Sequence, residues 1–301
     1  MSQSYDTRDR QTKGMVLLAP AGYKPGPFRY RDILTCYNHF LAGAQRLRGE
    51  IYVRDGAVSP TDLTDDGRHP QLLDAKSWHL LIVDDKERVM GCIRICVHPR
   101  DVICTDLDAL HCWTLRSEPL GPRIRRALQS HIARARLLDF SYVEVGGLAV
   151  SHEIRCTSEV IRMLLMIYAF GQLIGGAYGL STVTTRHQSS SIVRRLGGES
   201  LVDRGEEIPP YNDPCYGCEM ELLTFDSTKP NARYSGWIDD SNHVLANLVA
   251  IGPGSEETQV GSLLQLDRAL SGKLGLSLGS PAMAFGDASV AGSKRDHSSD
   301  I

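Results

Sequence analysis

Apolar residues recur along the chain with two different periods. At Ile33, Cys36, Tyr37, Phe40 and Leu41 they return every three or four positions, which predicts a helix following a short strand near Phe28. Ser77–Val83 and Val89–Val97 are continuous apolar runs joined by Asp84-Asp85-Lys86-Glu87, the composition of two antiparallel strands and their turn. Pro122–Leu138 reads as a helix with proline in its first turn. Tyr142–Val150 is β-branched and apolar, as a buried strand is, but Gly146-Gly147 interrupts it and marks a bulge or a close approach by a backbone or ligand. Ser151 then offers an N-cap, and Ile161–Phe170 is a long apolar helical run. Leu180–Thr185 predicts another strand, and Ser189–Leu196 a helix closed by Gly197. The stretch from 140 to 198 is thus strand, bulge, helix, strand, helix, and the rest of the chain is organised around it.

The flanks differ in character. Residues 1–27 are polar and punctuated by Gly and Pro, with one short apolar patch from Met15 to Ala21. Residues 227–301 are rich in Ser and Gly, with an apolar patch at Val244–Ile251 and a helical pattern at Leu263–Leu270. The expected division is an extension (1–27), one catalytic-size domain (28–226) and a flexible tail with at most one docked helix (227–301).

With 301 residues, 42% hydrophobic and 23% charged, the chain can bury a full core in an α/β domain. Its formal charge of -3 exerts no global pull toward nucleic acid or an anionic membrane. No segment reaches transmembrane length and the first residues lack an apolar signal core, so a cytoplasmic location is expected. The eight cysteines are scattered, mostly within apolar segments, and read as reduced thiols. Cys215-x-x-Cys218 has zinc-like spacing without a second pair; Cys92, Cys96 and His98 are the residues left to complete a site, and no metal is expected.

Two charged residues stand inside apolar strands. Arg94, in Cys-Ile-Arg-Ile-Cys, either faces solvent or needs a buried partner or a ligand. Glu144, between Val143 and Val145, is either paired with an arginine such as Arg94 or a buried carboxylate with raised proton affinity beside the bulge. Six arginines lie between Arg116 and Arg136 with no acid after Glu118, and Arg123, Arg126 and Arg134 fall near one helical face. That face is a solvated one, a dock for an acidic partner, or a nucleic-acid contact.

Val145-Gly-Gly-Leu-Ala-Val150, Arg155-x-x-Ser158 and the run from Arg186 to Gly198 together resemble the core of the GNAT acyltransferase superfamily. Met90-Gly-Cys-Ile-Arg94 and Leu47-Arg-Gly-Glu-Ile-Tyr-Val-Arg54 resemble acyl-homoserine-lactone synthases, and Pro210–Asp226 is similar to the closing strand region of long-chain N-acyl amino acid synthases. The resemblance covers 28–226. It implies a mixed, mostly antiparallel, splayed sheet flanked by helices. It also implies transfer of a medium or long acyl chain from an acyl carrier protein or acyl-CoA to the amine of an amino acid, with no tightly bound cofactor.

The same resemblance implies site roles. Glu144 is the expected base, and the backbone of Gly146, Gly147 and Leu148 the clamp on the thioester carbonyl. Val150, Arg155, Thr157 and Ser158 are expected to hold the donor's phosphopantetheine arm. Arg94, Arg48, Tyr52, Trp78 and Arg186 are expected to line the acceptor and acyl cleft, with Gly56–Gln71 as a mobile lid. Arg123, Arg126 and Arg134 would then dock the carrier protein.

The departures from the family pattern also carry information. Arg155-Cys-Thr-Ser-Glu-Val160 lacks the glycines of the acetyl-CoA turn and adds Glu159, which favours a single phosphopantetheine phosphate. Ser191–Arg195 has no tyrosine to serve as general acid, which thiols tolerate as good leaving groups. Gly147 stands where homoserine-lactone synthases carry arginine, which favours an amino acid acceptor. His187 is a cleft residue or a structural one. The alternatives are an acetyl-CoA-dependent N-acetyltransferase of a small amine or protein, and a non-catalytic acyl- or partner-binding module.

Overall fold

The computed structural model describes residues 13–23, 26–112 and 114–253. In chain order the first elements are β1 (Gly14–Leu18), β2 (Arg29–Asp32), α1 (Leu34–Arg54), β3 (Trp78–Val83), β4 (Val89–Val97), α2 (Leu120–Leu137) and β5 (Ser141–Val150). There follow α3 (Ser158–Leu173), β6 (Ala177–Thr184), α4 (Ser189–Leu196) and the short strands β7 (Glu199–Ser200), β8 (Val202–Asp203), β9 (Glu206–Glu207) and β10 (Tyr211–Asp213). β11 (Cys218–Asp226), α5 (Ser235–Asn247) and β12 (Val249–Gly252) complete it.

One sheet runs in the order β10-β11-β6-β5-β4-β3-β1-β12-β2, with β7 beside β11. Only β5/β6, β1/β12 and β12/β2 are parallel pairs. This is the mixed, mostly antiparallel, helix-flanked sheet that the motifs imply.

Strand alternation sorts the side chains onto two faces. Leu80, Ile82, Ile93, Ile95, Val143 and Val145 point toward α3 and α5 and form the largest core cluster. The opposite face is covered twice: by α1 over Val16, Leu81, Cys92 and Ala149, and by α2 over Tyr142, Tyr178 and Leu180. Between these two clusters, on that same face, lie His79, Arg94, Cys96 and Glu144, all buried. The charged residues of the apolar strands thus fill the gap between two helices.

Two expectations are corrected here. The sheet extends beyond 28–226 at both ends, because Gly14–Leu18 pairs with β3 and Val249–Gly252 sits between β1 and β2. The N-terminal apolar patch is the buried strand β1, and the patch at Val244–Ile251 is the end of α5 followed by the buried strand β12; short buried strands are not marked by periodicity alone. α3 begins seven residues after Ser151, capped by the Thr157 side chain, which accepts from the Glu159 N–H at 3.3 Å. The helical pattern at Leu263–Leu270 lies outside the described residues.

The β4/β5 ladder breaks register between Cys92 and Arg94, where Gly147 adopts φ +63°, a left-handed conformation that favours glycine. The β5/β6 pairing stops at Val145–Ser181, although β5 continues to Val150 and β6 to Thr184. Bulge and fork coincide. Among the described residues no helix is long and apolar enough to cross a membrane.

Candidate active site

A bulge turns backbone carbonyls out of the ladder, and each needs a new donor. Here three elements supply them. The Ser181 hydroxyl donates to Val145 O at 2.9 Å, the Cys92 thiol to Gly147 O at 3.5 Å, and the Tyr52 hydroxyl to Leu148 O at 3.4 Å. Burial pushes the Cys92 thiol up to about 11 and the Tyr52 hydroxyl up from its usual value, so both are neutral donors at neutral pH. Cys92 is therefore no nucleophile, despite its place beside the bulge.

Next to the bulge lie two ion pairs bridged by one amide. Arg48, wholly buried, donates to both oxygens of Asp74 at 2.9 and 2.5 Å, and to His69 O at 3.0 Å. Arg94 donates to Asp108 Oδ2 at 2.9 Å. Gln71 Oε1 accepts from both arginines, at 3.0 Å from Arg48 and 2.9 Å from Arg94. Burial would raise the Asp74 pKa, but Arg48 outweighs it and holds the carboxyl at about 2. His79 donates from Nε2 to Asp74 O at 2.8 Å, and burial pushes its pKa down to about 4, so it is neutral.

These contacts tie down the segment expected to be a mobile lid. His69 N–H bonds Gln45 O at 3.0 Å, Arg46 pairs with Asp66 at 3.1 Å, and Ser59 caps the turn at Pro60–Asp62. The loop is an anchored wall of the chamber.

Glu144, expected as the base, accepts from three donors. Its Oε2 takes His98 Nε2 at 2.8 Å and the Asp108 N–H at 2.9 Å, while Oε1 takes the Ala109 N–H at 3.1 Å. It holds the turn that carries Asp108. Trp78 is corrected outright: as a neighbour of His79 on β3 it points the other way, into the core with Phe28 and Phe170. Arg48, Tyr52 and Arg94 converge on the bulge.

On the far side of the fork, Asp55 gathers three basic side chains, two at its carboxylate and one at its backbone carbonyl. Asp55, the residue after α1, lies 3.8 Å from Arg155 Nη2 and 3.5 Å from His187 Nε2, and its carbonyl accepts from Arg186 Nη1 at 2.8 Å. Arg155 follows β5 and Arg186 follows β6, so the two walls of the fork meet on Asp55. Cys156, His187 and Gln188 all take positive φ there, the kind of stored backbone strain that clusters at ligand sites. Arg186 also donates to Gly217 O at 2.8 Å, which brings Tyr216 beside Tyr52 with ring centroids 6.0 Å apart.

The arginines of α2 do not form a bare basic face. Arg126 pairs with Asp203 at 2.8 Å and Arg123 with Glu206 at 3.1 Å, while Arg134 lies over the Tyr178 ring. All eight cysteines are free, and among the described residues no cluster of three or more His, Cys, Asp or Glu suits a metal ion.

The residues that sequence reasoning missed are Asp55, Gln71, Asp74, Asp108, Ser181 and Tyr216. All but Ser181 sit in irregular segments, where no periodicity singles them out. Ser181 lies in β6 beside Thr182 and Thr184, where one hydroxyl among three does not stand out.

The mixed, mostly antiparallel sheet flanked by helices and forked between β5 and β6 is the fold that the motif resemblance implies. Among solved structures, the chain is similar to the acyl-homoserine-lactone synthase LasI, at 12% identity over 72% of this chain and 91% of that one, with a TM-score of 0.45. It is similar to the CoA-dependent acyl-homoserine lactone synthase BjaI, with SAM and isopentyl-CoA, at 14% identity over 85% and 100% and a TM-score of 0.47. It is also similar to FeeM, an N-acyl amino acid synthase from uncultured soil microbes, at 12% identity over 73% and 93% and a TM-score of 0.43. No family model matches the chain, and none of the curated proteins matches it in sequence.

Gly147 provides a direct test of the bulge. A Cβ there would lie 3.1 Å from Arg48 Nη1 and 3.3 Å from Arg94 Cβ, at a φ that β-branched residues avoid. Gly147→Val is expected to cost about 1–3 kcal/mol in a denaturant titration. It is also expected to abolish any reaction that uses the bulge.

Proposed function

We propose that this chain is an N-acyltransferase that moves a medium or long acyl group from a thioester donor to the amine of an amino acid. The observation that carries the reading is the coincidence of fork, bulge and charged chamber. β5 has a stretch from Gly146 to Val150 beyond its pairing with β6, and the Arg94–Asp108 pair sits against the bulge in that stretch. An extended pantetheine arm fits such an edge as an added strand, bonding through backbone groups. Its thioester carbonyl then lies at Gly146–Leu148, whose N–H groups polarise it.

Arg155 is the donor-side cation for a phosphate, with Arg186 and His187 on the opposite wall. Arg94 takes the acceptor carboxylate, and Tyr52 and Tyr216 wall the acceptor. Glu144 and His98 hold the turn that completes the chamber. The donor is acyl-CoA or an acyl carrier protein. Arg123 and Arg126 are paired with Glu206 and Asp203, so a carrier docking on α2 would displace those acids.

The test compares lipid extracts of cells expressing the full chain, its Gly147→Val variant or no insert, by intact mass spectrometry. New N-acyl amino acids with the wild type alone are expected, and their masses name both acyl chain and acceptor. Extracts identical to the empty control, together with no thiol release from purified protein given palmitoyl-CoA and amino acids, would sink the reading. Turnover confined to acetyl-CoA would redirect it to acetyl transfer.

A further inference from the structure

We propose that the Arg94–Asp108 ion pair is a template for an amino acid zwitterion, and that Asp108 receives the acceptor's ammonium and removes its proton. The chemical step rests on the acyl-transfer reading above; the binding geometry does not.

The site holds two cations, Arg48 and Arg94, and two carboxylates facing them, Asp74 and Asp108, while a third carboxylate, Glu144, is turned to His98 and the backbone N–H groups of the Asp108 turn. Arg48 and Asp74 are both buried, and Asp74 also accepts from the Gln45 amide at 2.9 Å and the Gln71 N–H at 3.0 Å. That pair is sealed from solvent, at 1% and 5% side-chain exposure. The second pair is lopsided: the Arg94 side chain is 5% exposed, whereas that of Asp108 is 35% exposed. A ligand therefore reaches Asp108 and, once that carboxylate shifts, the guanidinium behind it. Among the described residues Arg94 Nε, like Arg48 Nε, is a buried donor without a partner, and of the two only Arg94 lies behind a carboxylate that solvent reaches.

An α-amino acid entering antiparallel to this pair exchanges partners with it. Its carboxylate replaces Asp108 on Arg94, and its ammonium replaces Arg94 on Asp108. Every charge stays paired and the net charge of the chamber is unchanged, which avoids the cost of an unpaired buried charge. A fatty acid or a simple amine satisfies only one of the two partners. Zwitterion selectivity follows from the site's own pairing.

Position makes Asp108 the proton acceptor. A Cβ on Gly146 would lie 3.5 Å from Arg94 Nη2, the same nitrogen that holds Asp108. The carboxylate is thus one guanidinium away from the bulge. Its backbone is fixed by Glu144, which takes the Asp108 and Ala109 N–H groups and is itself held by His98. Glu144 and His98 are positioning residues. Among the described residues Asp108 Oδ1 meets only His111 Nδ1, at 3.2 Å on the exposed side.

The ammonium gives one proton to Asp108, and the freed amine forms a C–N bond to the thioester carbonyl carbon. The tetrahedral adduct then collapses with cleavage of the C–S bond. The leaving thiolate takes the second proton from nitrogen, and Asp108 returns its proton to solvent. One ammonium and one thioester yield one amide, one thiol and one proton.

Two measurements test this on the full chain. In the first, binding of the individual common amino acids, their carboxamides and their deaminated acids is followed by titration calorimetry, with no donor present. The wild type is expected to bind at least one amino acid, and its carboxamide and deaminated acid each at least about tenfold more weakly, as loss of one charge-assisted pair dictates. Asp108→Asn should lose the preference for the amino acid over its deaminated acid. Asp108→Glu, which keeps the charge, should restore it. In the second, Asp108→Asn is expected to lower kcat for thiol release about 100-fold or more at saturating donor and acceptor. Glu144→Gln should raise the acceptor KM more than it lowers kcat.

The outcomes separate the two readings. Zwitterion-selective binding without turnover keeps the template and ends the acyl-transfer reading. Acyl transfer with an unaltered Asp108→Asn overturns the role of Asp108 and leaves acyl transfer standing. A wild type that binds no amino acid, or binds deaminated acids equally well, overturns the template.

Discussion

Replacing Arg48 with alanine is expected to lower the unfolding free energy by about 3–5 kcal/mol, because it leaves the Asp74 carboxylate buried with its main counter-charge gone. The loss reaches beyond one pair. Arg48 also holds His69 O and shares Gln71 with Arg94, so the 56–71 loop loses two of its ties to α1 and keeps those of Gln45 and Arg46. A urea titration of wild type and Arg48→Ala measures the effect; a change below about 1 kcal/mol would show that water replaces the pair at little cost. The same pair sets an acid limit. Asp74 has its carboxyl held at about 2 in the folded chain against an ordinary value of 3.8. A group with a depressed folded pKa contributes stability above its unfolded pKa and loses it as pH falls through the folded one. Stability is therefore expected to fall by about 2 kcal/mol between pH 4 and pH 2 from this residue. Arg48→Ala should flatten that part of the pH profile.

The largest effect expected of any change is that of ending the chain at Asp226. This removes α5, which packs on α3, and β12, which fills the sheet between β1 and β2. Tyr234, Ile238, Leu245, Leu248 and Ile251 are all buried, and each large side chain contributes about 1.5–3 kcal/mol. Their sum rivals the whole stability of a typical domain, about 5–15 kcal/mol. The shortened chain is expected to be insoluble, or to lack a cooperative thermal transition by circular dichroism. A shortened chain that melted like the full one would show that α5 and β12 are accessory.

How much of this was legible in the sequence follows from the physics of each signal. Arg94 and Glu144 stand out because a charge in an apolar strand is expensive, and both are indeed buried in the gap between α1 and α2. Gly146-Gly147 marks the bulge because few other residues take that backbone. Composition does not say which face a strand residue takes, so Trp78 was joined to a chamber that only its neighbour His79 touches. Asp108 and Gln71 belong to turns, where chemistry depends on what the fold brings near. The role given to Glu144 shows the same limit: the residue was visible, but the three donors around it come from His98 and a turn some 35 residues away in sequence. β1 and β12 were hidden because short, fully buried strands have no polar face to reveal their period.

The seat of β12 also bears on how the protein is made. β1 ends at Leu18 and its parallel neighbour begins at Val249, some 230 residues later in translation. At ordinary synthesis rates that separation is roughly 10–50 s, during which β2 has no sheet partner and one edge of β1 stays open. An open apolar edge is an invitation to the wrong strand. Newly made chains should therefore depend on ribosome-associated chaperones until residue 252 has emerged, and a circular permutant that places β12 directly before β1 should escape that dependence.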